Sequence, residues 1–279
     1  MRVFRRRLRW PGAIVLLFLA ISAAIAAVWS GDDPAAGAKS RDQRAWASPG
    51  TKPRSDARAT ARVARKPENL RDNTGPNRYV PSLAQLAAFR AARNDSGQTA
   101  VEANPLTQYV TGRPGLRHPS TDQLIQWVSH KWRIPTDWIR AQLFVESHWR
   151  QSHLGDLGAV PPDWYGRYPA FSRVPGGDQV YQSLGIAQVK WKPDGSVGAG
   201  TEPLRWKSTA FNLDDYAATI RYYYDGACDW CTPGYSAGQA WNSVGAWYSP
   251  NPWANANALS YVRRLRQVLK DRAWTRIGR

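Results

Sequence analysis

The chain has 279 residues and a formal net charge of +17, from 38 Lys and Arg against 21 Asp and Glu. Its hydrophobic share of 43% is enough for a folded core, which excludes wholesale disorder, and its two cysteines exclude a disulfide-dense scaffold or an all-cysteine zinc finger. The positive charge is spread along the chain, so it favours an anionic surround such as lipid or acidic cell wall, and we expect no nucleic-acid partner.

The amino terminus has the pattern that directs a chain out of the cytoplasm. Five arginines precede an uncharged apolar run, residues 13–29: Arg2, Arg5, Arg6, Arg7 and Arg9. One interpretation is a cleavable signal peptide, with Ala24-Ile25-Ala26 as its cleavage motif. The other is a retained membrane anchor, because a helix over residues 11–28 would span about 27 Å. In either case residues 1–30 predict an extracytoplasmic chain, membrane-anchored or secreted into the cell envelope.

Residues 31–115 are predicted to form a flexible linker. They are rich in Ala, Arg, Pro, Asp and Ser and poor in large aliphatic side chains, so they would bury too little apolar surface to offset the entropy of ordering. Within them, Leu83, Leu86 and Phe89 follow a helical period after Ser82, which predicts a short helix over 82–93. The pattern leaves open whether this helix docks on the domain that follows.

Residues 116–279 are predicted to form the folded domain, and its first two helices carry clear start signals. Ser120 followed by Gln123 is a capping-box pattern at the head of an apolar helical stripe. Thr136 is expected to cap the second helix, which ends at Glu146-Ser147.

Two further helices are predicted downstream. Asn212 is expected to cap the third, with Asp215 in its first turn, and the fourth runs over about 259–274. The segments 152–181 and 192–205 are rich in Gly and Pro, and no stretch alternates convincingly as a strand. The domain is therefore predicted to be mainly α.

The candidate for catalysis is Glu146. It follows the apolar run Leu143-Phe144-Val145 and precedes Ser147, His148 and Trp149. A carboxyl at the edge of an apolar site is penalised for ionising, so its pKa is expected to rise toward neutral, as a general acid requires. A solvated glutamate at a helix end is the alternative.

Five segments in order resemble the lytic transglycosylase family of the lysozyme superfamily. Glu146-Ser147 matches its Glu-Ser helix end, and Gly185-Ile186-Ala187-Gln188 matches its Gly-Leu-Met-Gln segment with Ala in place of Met. Asn212 matches its Asn-containing helix start, Trp247-Tyr248-Ser249 loosely matches its Ala-Tyr-Asn, and Tyr261-Val262 matches its closing helix. The separation of Glu146 from Gln188 exceeds the family's, which implies an insertion around 152–181.

The resemblance implies a lysozyme-like domain that cleaves the β-1,4 bond between N-acetylmuramic acid and N-acetylglucosamine in peptidoglycan glycan strands. Glu146 would be the general acid and base, and the products would carry a 1,6-anhydro ring. The residues implied in substrate binding are Ser147, Gly185, Gln188, Asn212 and Tyr248. No cofactor or metal is implied, and we expect a monomer.

Three alternatives stay open. A muramidase would hydrolyse the same bond with a second carboxylate, for which Asp156, Asp163, Asp178, Asp214 and Asp215 are available, although the last two are expected to be helix-start charges. A non-catalytic glycan-binding module would use the same scaffold without chemistry. An interaction protein would bind another envelope component through its aromatic loops.

The aromatic residues and the two cysteines have structural readings as well. Aromatic rings in loop-like segments would stack on sugars or pack the core: Trp164, Tyr165, Tyr168, Trp191, Trp206, Trp230, Trp241, Trp247 and Trp253. Cys228 and Cys231 are predicted to form a short-loop disulfide in an oxidising compartment. A redox motif should follow a strand, and a zinc site needs two more ligands.

Overall fold

The computed structural model describes residues 46–95, 103–227, 235–249 and 256–278, and this part is mainly helical. Its helices are α1 Asp56–Thr60, α2 Thr74–Arg78, α3 Leu83–Asn94, α4 Thr121–Trp132, α5 Thr136–Ser147, α6 Pro162–Tyr165, α7 Leu204–Lys207, α8 Thr209–Tyr224, α9 Ala240–Tyr248 and α10 Ala256–Asp271. None of these helices is long and apolar enough to cross a membrane. The predicted anchor, residues 1–30, lies outside the described residues.

Helix α8 is the centre of the core, and all of its residues except Tyr222 are buried. It begins at Thr209, because the Ser208 side chain accepts a hydrogen bond from the Phe211 N–H and caps the helix. The prediction that Asn212 caps this helix is therefore wrong by one turn, and Asp215 does not lie in the first turn.

Of the other predicted helix starts, two are confirmed and one is wrong. The capping box of Ser120 with Gln123 is confirmed, and Ser82 is confirmed as a cap, which also forms a box with Gln85. Thr136 is wrong as a cap: it is the first residue of α5, which follows Pro135 without a side-chain cap. The last predicted helix is present as α10, three residues earlier than expected at each end.

The prediction of a flexible linker is wrong for residues 46–95 and 103–115, which form part of the compact unit that begins at Ala45. Trp46 is 6% exposed and stacks on Tyr224 with 4.5 Å between ring centroids. Phe89 of α3 is fully buried against Phe211, so the short helix does dock on the domain. The composition of this stretch does not predict its attachment, because a few large side chains are enough to attach it to a core that other residues build.

Buried charges fix this segment further. Asp214 is fully buried and binds the Lys131 ammonium at 2.7 Å and the Trp132 indole N–H at 2.6 Å. It also accepts the backbone N–H groups of Thr111 and Gly112, which belong to the predicted linker. Asp214 is therefore not a helix-start charge, and neither is Asp215, which pairs with Arg93 of α3.

The predicted absence of strands is also wrong. Strands β1 Leu154–Ala159, β2 Gln179–Leu184 and β3 Val189–Lys190 form one antiparallel sheet in the order β1-β2-β3. Leu154 pairs with Leu184 and Ala159 with Gln179, so β1 and β2 enclose most of the segment interpreted as an insertion. Glycines at positions 155 and 158 interrupt the side-chain alternation of β1, which hides this strand from a pattern search.

Candidate active site

Glu146 lies in the last turn of α5, where the chain leaves the helix abruptly. His148 and Trp149 both adopt positive φ angles, 52° and 66°, and the Trp149 indole donates to the Arg140 carbonyl at 2.9 Å. This anchor folds Trp149 back onto the helix and buries it. The Glu146 side chain is left partly buried at the edge of the core, among the apolar residues that precede it.

The carboxyl environment raises the pKa of Glu146 from its ordinary 4.5 to about 7. Burial is the largest cause, and the negative charge of Asp156 adds to it. The hydrogen bond from Tyr261 and the positive charge of Arg264 oppose the rise. The predicted shift toward neutral pH is confirmed.

A directed chain of hydrogen bonds from the core ends on Glu146. The Tyr216 hydroxyl donates to Gln142 Oε1 at 2.6 Å, and Gln142 Nε2 donates to the Tyr261 oxygen at 2.9 Å. Tyr261 then donates to Glu146 Oε1 at 2.5 Å. Burial holds the pKa of both tyrosines well above the ordinary value, so both stay protonated as donors. Glu146 Oε2 has no hydrogen-bond partner in the described part of the chain.

The segments singled out in the sequence do meet, around the turn between β2 and β3. Ser147 donates its hydroxyl to the Ile186 carbonyl at 2.6 Å, and Asn212 accepts the Ala187 N–H at 2.9 Å. The Trp247 indole donates to the Ala187 carbonyl at 3.1 Å. Three helices therefore hold one turn directly beside Glu146.

Three of the predicted substrate-binding residues build this turn instead of facing a ligand. Ser147 and Asn212 are 2% and 0% exposed, so their assignment to substrate binding is wrong. Gly185 is buried with φ +90°, and a Cβ there would lie 2.4 Å from Asn212 Nδ2. Only glycine fits at this position, for a packing reason.

Gln188 and Tyr248 are more accessible, but neither hydrogen-bonds Glu146. Gln188 has φ +59° and donates its amide to the Gly185 carbonyl at 2.7 Å, which closes its own turn. Tyr248 is 48% exposed, and its ring stacks on the ring of Tyr261 with 4.8 Å between centroids. Tyr261 is the residue that donates a hydrogen bond to Glu146. Tyr248 therefore offers an exposed aromatic face beside the carboxyl.

Among the aspartates proposed as a second carboxylate, Asp156 on β1 is the one that acts on Glu146. It is exposed and has φ +51°, and it accepts hydrogen bonds from the Ser183 hydroxyl at 2.7 Å and the Lys190 ammonium at 3.2 Å. The backbone links the two sides of the site, because the Gly185 N–H donates to the His153 carbonyl at 3.1 Å. Asp214 and Asp215 are buried in ion pairs and unavailable.

Most of the aromatic residues that were considered for sugar stacking are used in packing. Trp241 packs against Trp138, and Tyr168 is buried in a small cluster with Trp191. Trp206 is partly buried beside Phe171, which is 52% exposed. Trp230, Trp253, Cys228 and Cys231 lie outside the described residues.

Comparisons and metal-ligand geometry add no assignment. Within the described ranges no group of three or more His, Cys, Asp or Glu side chains is placed to hold a metal ion. Comparison with family models, with curated proteins and with solved structures finds no match to this chain. The assignment of the candidate site therefore rests on the geometry described above.

The sequence patterns do not predict the hydrogen bonds that run from Tyr216 through Gln142 and Tyr261 to Glu146. Gln142 was the available signal, since it is a lone uncharged polar residue in the run Trp138-Ile139-Arg140-Ala141-Gln142-Leu143 and is fully buried. A buried amide needs partners, and these come from Tyr216 and Tyr261. No local pattern shows that two tyrosines on distant helices provide them.

The raised pKa of Glu146 predicts a measurable loss of stability with rising pH. The native state holds this proton up to about pH 7 and the unfolded chain only to about 4.5, so the contribution is complete below pH 4.5 and is lost as pH rises through 7. We expect the free energy of unfolding of wild type, relative to Glu146→Gln, to fall by about 3 kcal/mol between pH 4 and pH 8. Urea unfolding of both proteins at the two pH values measures this difference. A difference that does not change with pH would show that the carboxyl is solvated.

Proposed function

We propose that this chain is a peptidoglycan lytic transglycosylase with a lysozyme-like domain, directed by residues 1–30 to the cell envelope, where it is membrane-anchored or secreted. The observation that carries the proposal is the Glu146 carboxyl, desolvated at a helix end, with a pKa of about 7 and one oxygen fixed by Tyr261. The convergence of the Glu146-Ser147, 185–188, Asn212 and Trp247-Tyr248 segments on one turn supports it.

In the proposed reaction, protonated Glu146 donates its proton to the glycosidic oxygen between N-acetylmuramic acid and N-acetylglucosamine. The bond between that oxygen and the muramyl C1 breaks, and the carboxylate that results accepts the proton of the muramyl C6 hydroxyl. The C6 oxygen bonds to C1 and closes the 1,6-anhydro ring, so no water is consumed. A pKa near 7 suits a group that must give and take a proton in one cycle.

The surroundings of Glu146 fit these two roles. Tyr261 donates to Oε1, which leaves Oε2 to face the substrate oxygen. Burial favours the neutral acid before transfer, and the Tyr261 bond and the Arg264 charge stabilise the carboxylate after it. The exposed ring of Tyr248 would stack on a sugar next to the scissile bond.

Hydrolysis of the same bond is the second candidate, and Asp156 is the observation that favours it. A retaining or inverting hydrolase needs a second carboxylate across the bond, about 5 to 10 Å from the acid. Asp156 is exposed on the sheet that faces the Glu146 helix end, and its charge is felt at Glu146. Its hydrogen bond from Ser183 and its ion pair with Lys190 hold the carboxylate in place.

Mass spectrometry of muropeptides released from purified peptidoglycan by the full chain separates these readings. We expect products one water lighter than hydrolysed ones, and we expect Asp156→Asn to keep its rate within about threefold because the C6 hydroxyl replaces a carboxylate nucleophile. Asp163→Asn, an exposed carboxylate in the same segment, is the matched control.

Other outcomes of the muropeptide experiment would contradict the lytic mechanism. Hydrolysed products together with a rate loss of about a hundredfold or more in Asp156→Asn would replace the lytic mechanism by a two-carboxylate hydrolase. Binding to peptidoglycan without release of any product would leave a glycan-binding module. No binding at all would remove the proposal.

A further inference from the structure

A cleft of about 660 Å³ elsewhere on the chain is lined by four arginines and no acidic residue. Its lining consists of Arg54, Arg58, Ala61, Arg62 and Arg133, and we call it the arginine cleft. Helix α1 and the turn after it supply Arg58 and Arg62, and Arg133 follows the end of α4 with φ +56°. It shares no lining residue with the Glu146 site.

Hydrogen bonds fix Arg54 in the cleft, and Arg133 has an unused donor there. The Arg54 guanidinium donates to the His130 carbonyl at 2.7 Å, and its backbone N–H donates to the Lys131 carbonyl at 2.8 Å. Arg133 Nε is buried and has no hydrogen-bond partner. A buried donor without a partner is unfavourable, and an acceptor bound in the cleft would satisfy it.

No acidic side chain among the described residues neutralises the positive charge of the cleft. In the part of the chain that the structure describes, none of the four arginines forms a salt bridge. Asp56, the acidic residue of α1, is turned to Lys131 at 2.8 Å instead. Burial, and then the charges of Arg133 and Arg62, lower the pKa of Arg54, which shows that these guanidinium groups repel one another.

We propose that the arginine cleft binds a phosphate group of an anionic ligand. Each guanidinium presents a planar fork of donors that matches the oxygens of a phosphate. One carboxylate would neutralise one of four charges, whereas a diphosphate or a run of phosphodiesters offers several charges and many acceptor oxygens in the same volume. The phosphate could belong to a soluble or polymeric phosphate compound or to a lipid headgroup, and the site does not depend on the chemistry at Glu146.

The test measures binding of inorganic pyrophosphate to the full chain by calorimetry at low ionic strength. The double variant Arg58→Gln/Arg62→Gln removes two exposed side chains that make no hydrogen bond or salt bridge with the described residues, so the fold is kept. The matched control, Arg71→Gln/Arg78→Gln, makes the same charge change at exposed positions outside the cleft. We expect affinity to fall at least tenfold in the first variant and less than twofold in the second.

Two further arms identify the phosphate source and the ligand class. Sedimentation with phosphatidylcholine vesicles, with and without phosphatidylglycerol, compares the two variants, because any affinity of residues 1–30 for lipid is common to both. A difference between the variants on phosphatidylglycerol vesicles assigns a headgroup, and a difference with pyrophosphate alone assigns a soluble or polymeric phosphate. Equal losses in both variants, binding to neither probe, or acetate binding as tightly as pyrophosphate would overturn the proposal.

Discussion

Glu146→Gln is expected to lower the rate of muropeptide release from purified peptidoglycan by between about a hundredfold and ten-thousandfold. The amide has no proton to give at neutral pH and cannot take one from the C6 hydroxyl. Its carbonyl oxygen still accepts the hydrogen bond that Tyr261 donates to Oε1, so the chain from Tyr216 through Gln142 is preserved. The loss should therefore appear in the rate of the chemical step and not in binding to the glycan.

Asp163→Asn is the control for this experiment, since Asp163 is an exposed carboxylate and its loss should leave the rate within about twofold. Circular dichroism and thermal unfolding should show that Glu146→Gln is folded and, at pH 8, more stable than wild type, because it lacks the ionisation that a desolvated carboxyl resists. Activity retained by Glu146→Gln would remove Glu146 from the mechanism and the proposed function with it.

The sequence was a good guide wherever the deciding interaction is local. The Ser82 cap and the Ser120–Gln123 capping box involve residues three positions apart, and both are present. The rise in the pKa of Glu146 was predicted from the apolar residues just before it in the same helix. In these cases the neighbours along the chain are also the neighbours in space.

The sequence was a poor guide wherever a contact with a residue distant in the chain determines the local structure. Asn212 has the pattern of a helix cap, yet its amide accepts the Ala187 N–H and donates to the Leu184 carbonyl, 25 and 28 residues away in the sequence. The segment 46–95 reads as a linker because its composition is weighed alone, whereas Trp46 and Phe89 enter a core built by other residues. Strand β1 lacks an alternating pattern, and its pairing with β2 across about 20 intervening residues is what defines it.

The attachment of residues 103–115 to the core through Asp214 predicts a large effect on stability. Asp214 is fully buried, and its Oδ2 accepts from Lys131 at 2.7 Å, from the Thr111 N–H at 2.8 Å and from the Gly112 N–H at 3.0 Å. Its Oδ1 accepts from the Trp132 indole at 2.6 Å. All four groups are donors, so the site demands an acceptor at both oxygens and a negative charge beside the ammonium.

Asp214→Asn is therefore expected to lower the free energy of unfolding by about 3–5 kcal/mol, as when one partner of a buried ion pair is removed. The amide NH₂ must face either the indole N–H or the backbone donors, and Asp56 remains as the only carboxylate that pairs with Lys131 in the described chain. Urea unfolding at pH 7 measures the loss. Limited trypsin digestion should show earlier cleavage at the arginines of residues 54–78, because the Thr111 and Gly112 N–H groups lose their acceptor.

Asp163→Asn is again the control, because it makes the same chemical change at an exposed position. It should shift the free energy of unfolding by no more than about 0.5 kcal/mol, so a larger loss in Asp214→Asn reports the burial of the carboxylate. A loss below about 1 kcal/mol in Asp214→Asn would mean that water or a rearranged Asp56 replaces the lost charge. The tryptic pattern would then match that of wild type. Activity on peptidoglycan distinguishes the role of Asp214 from that of Glu146, since Asp214→Asn should retain its rate at temperatures where it is folded.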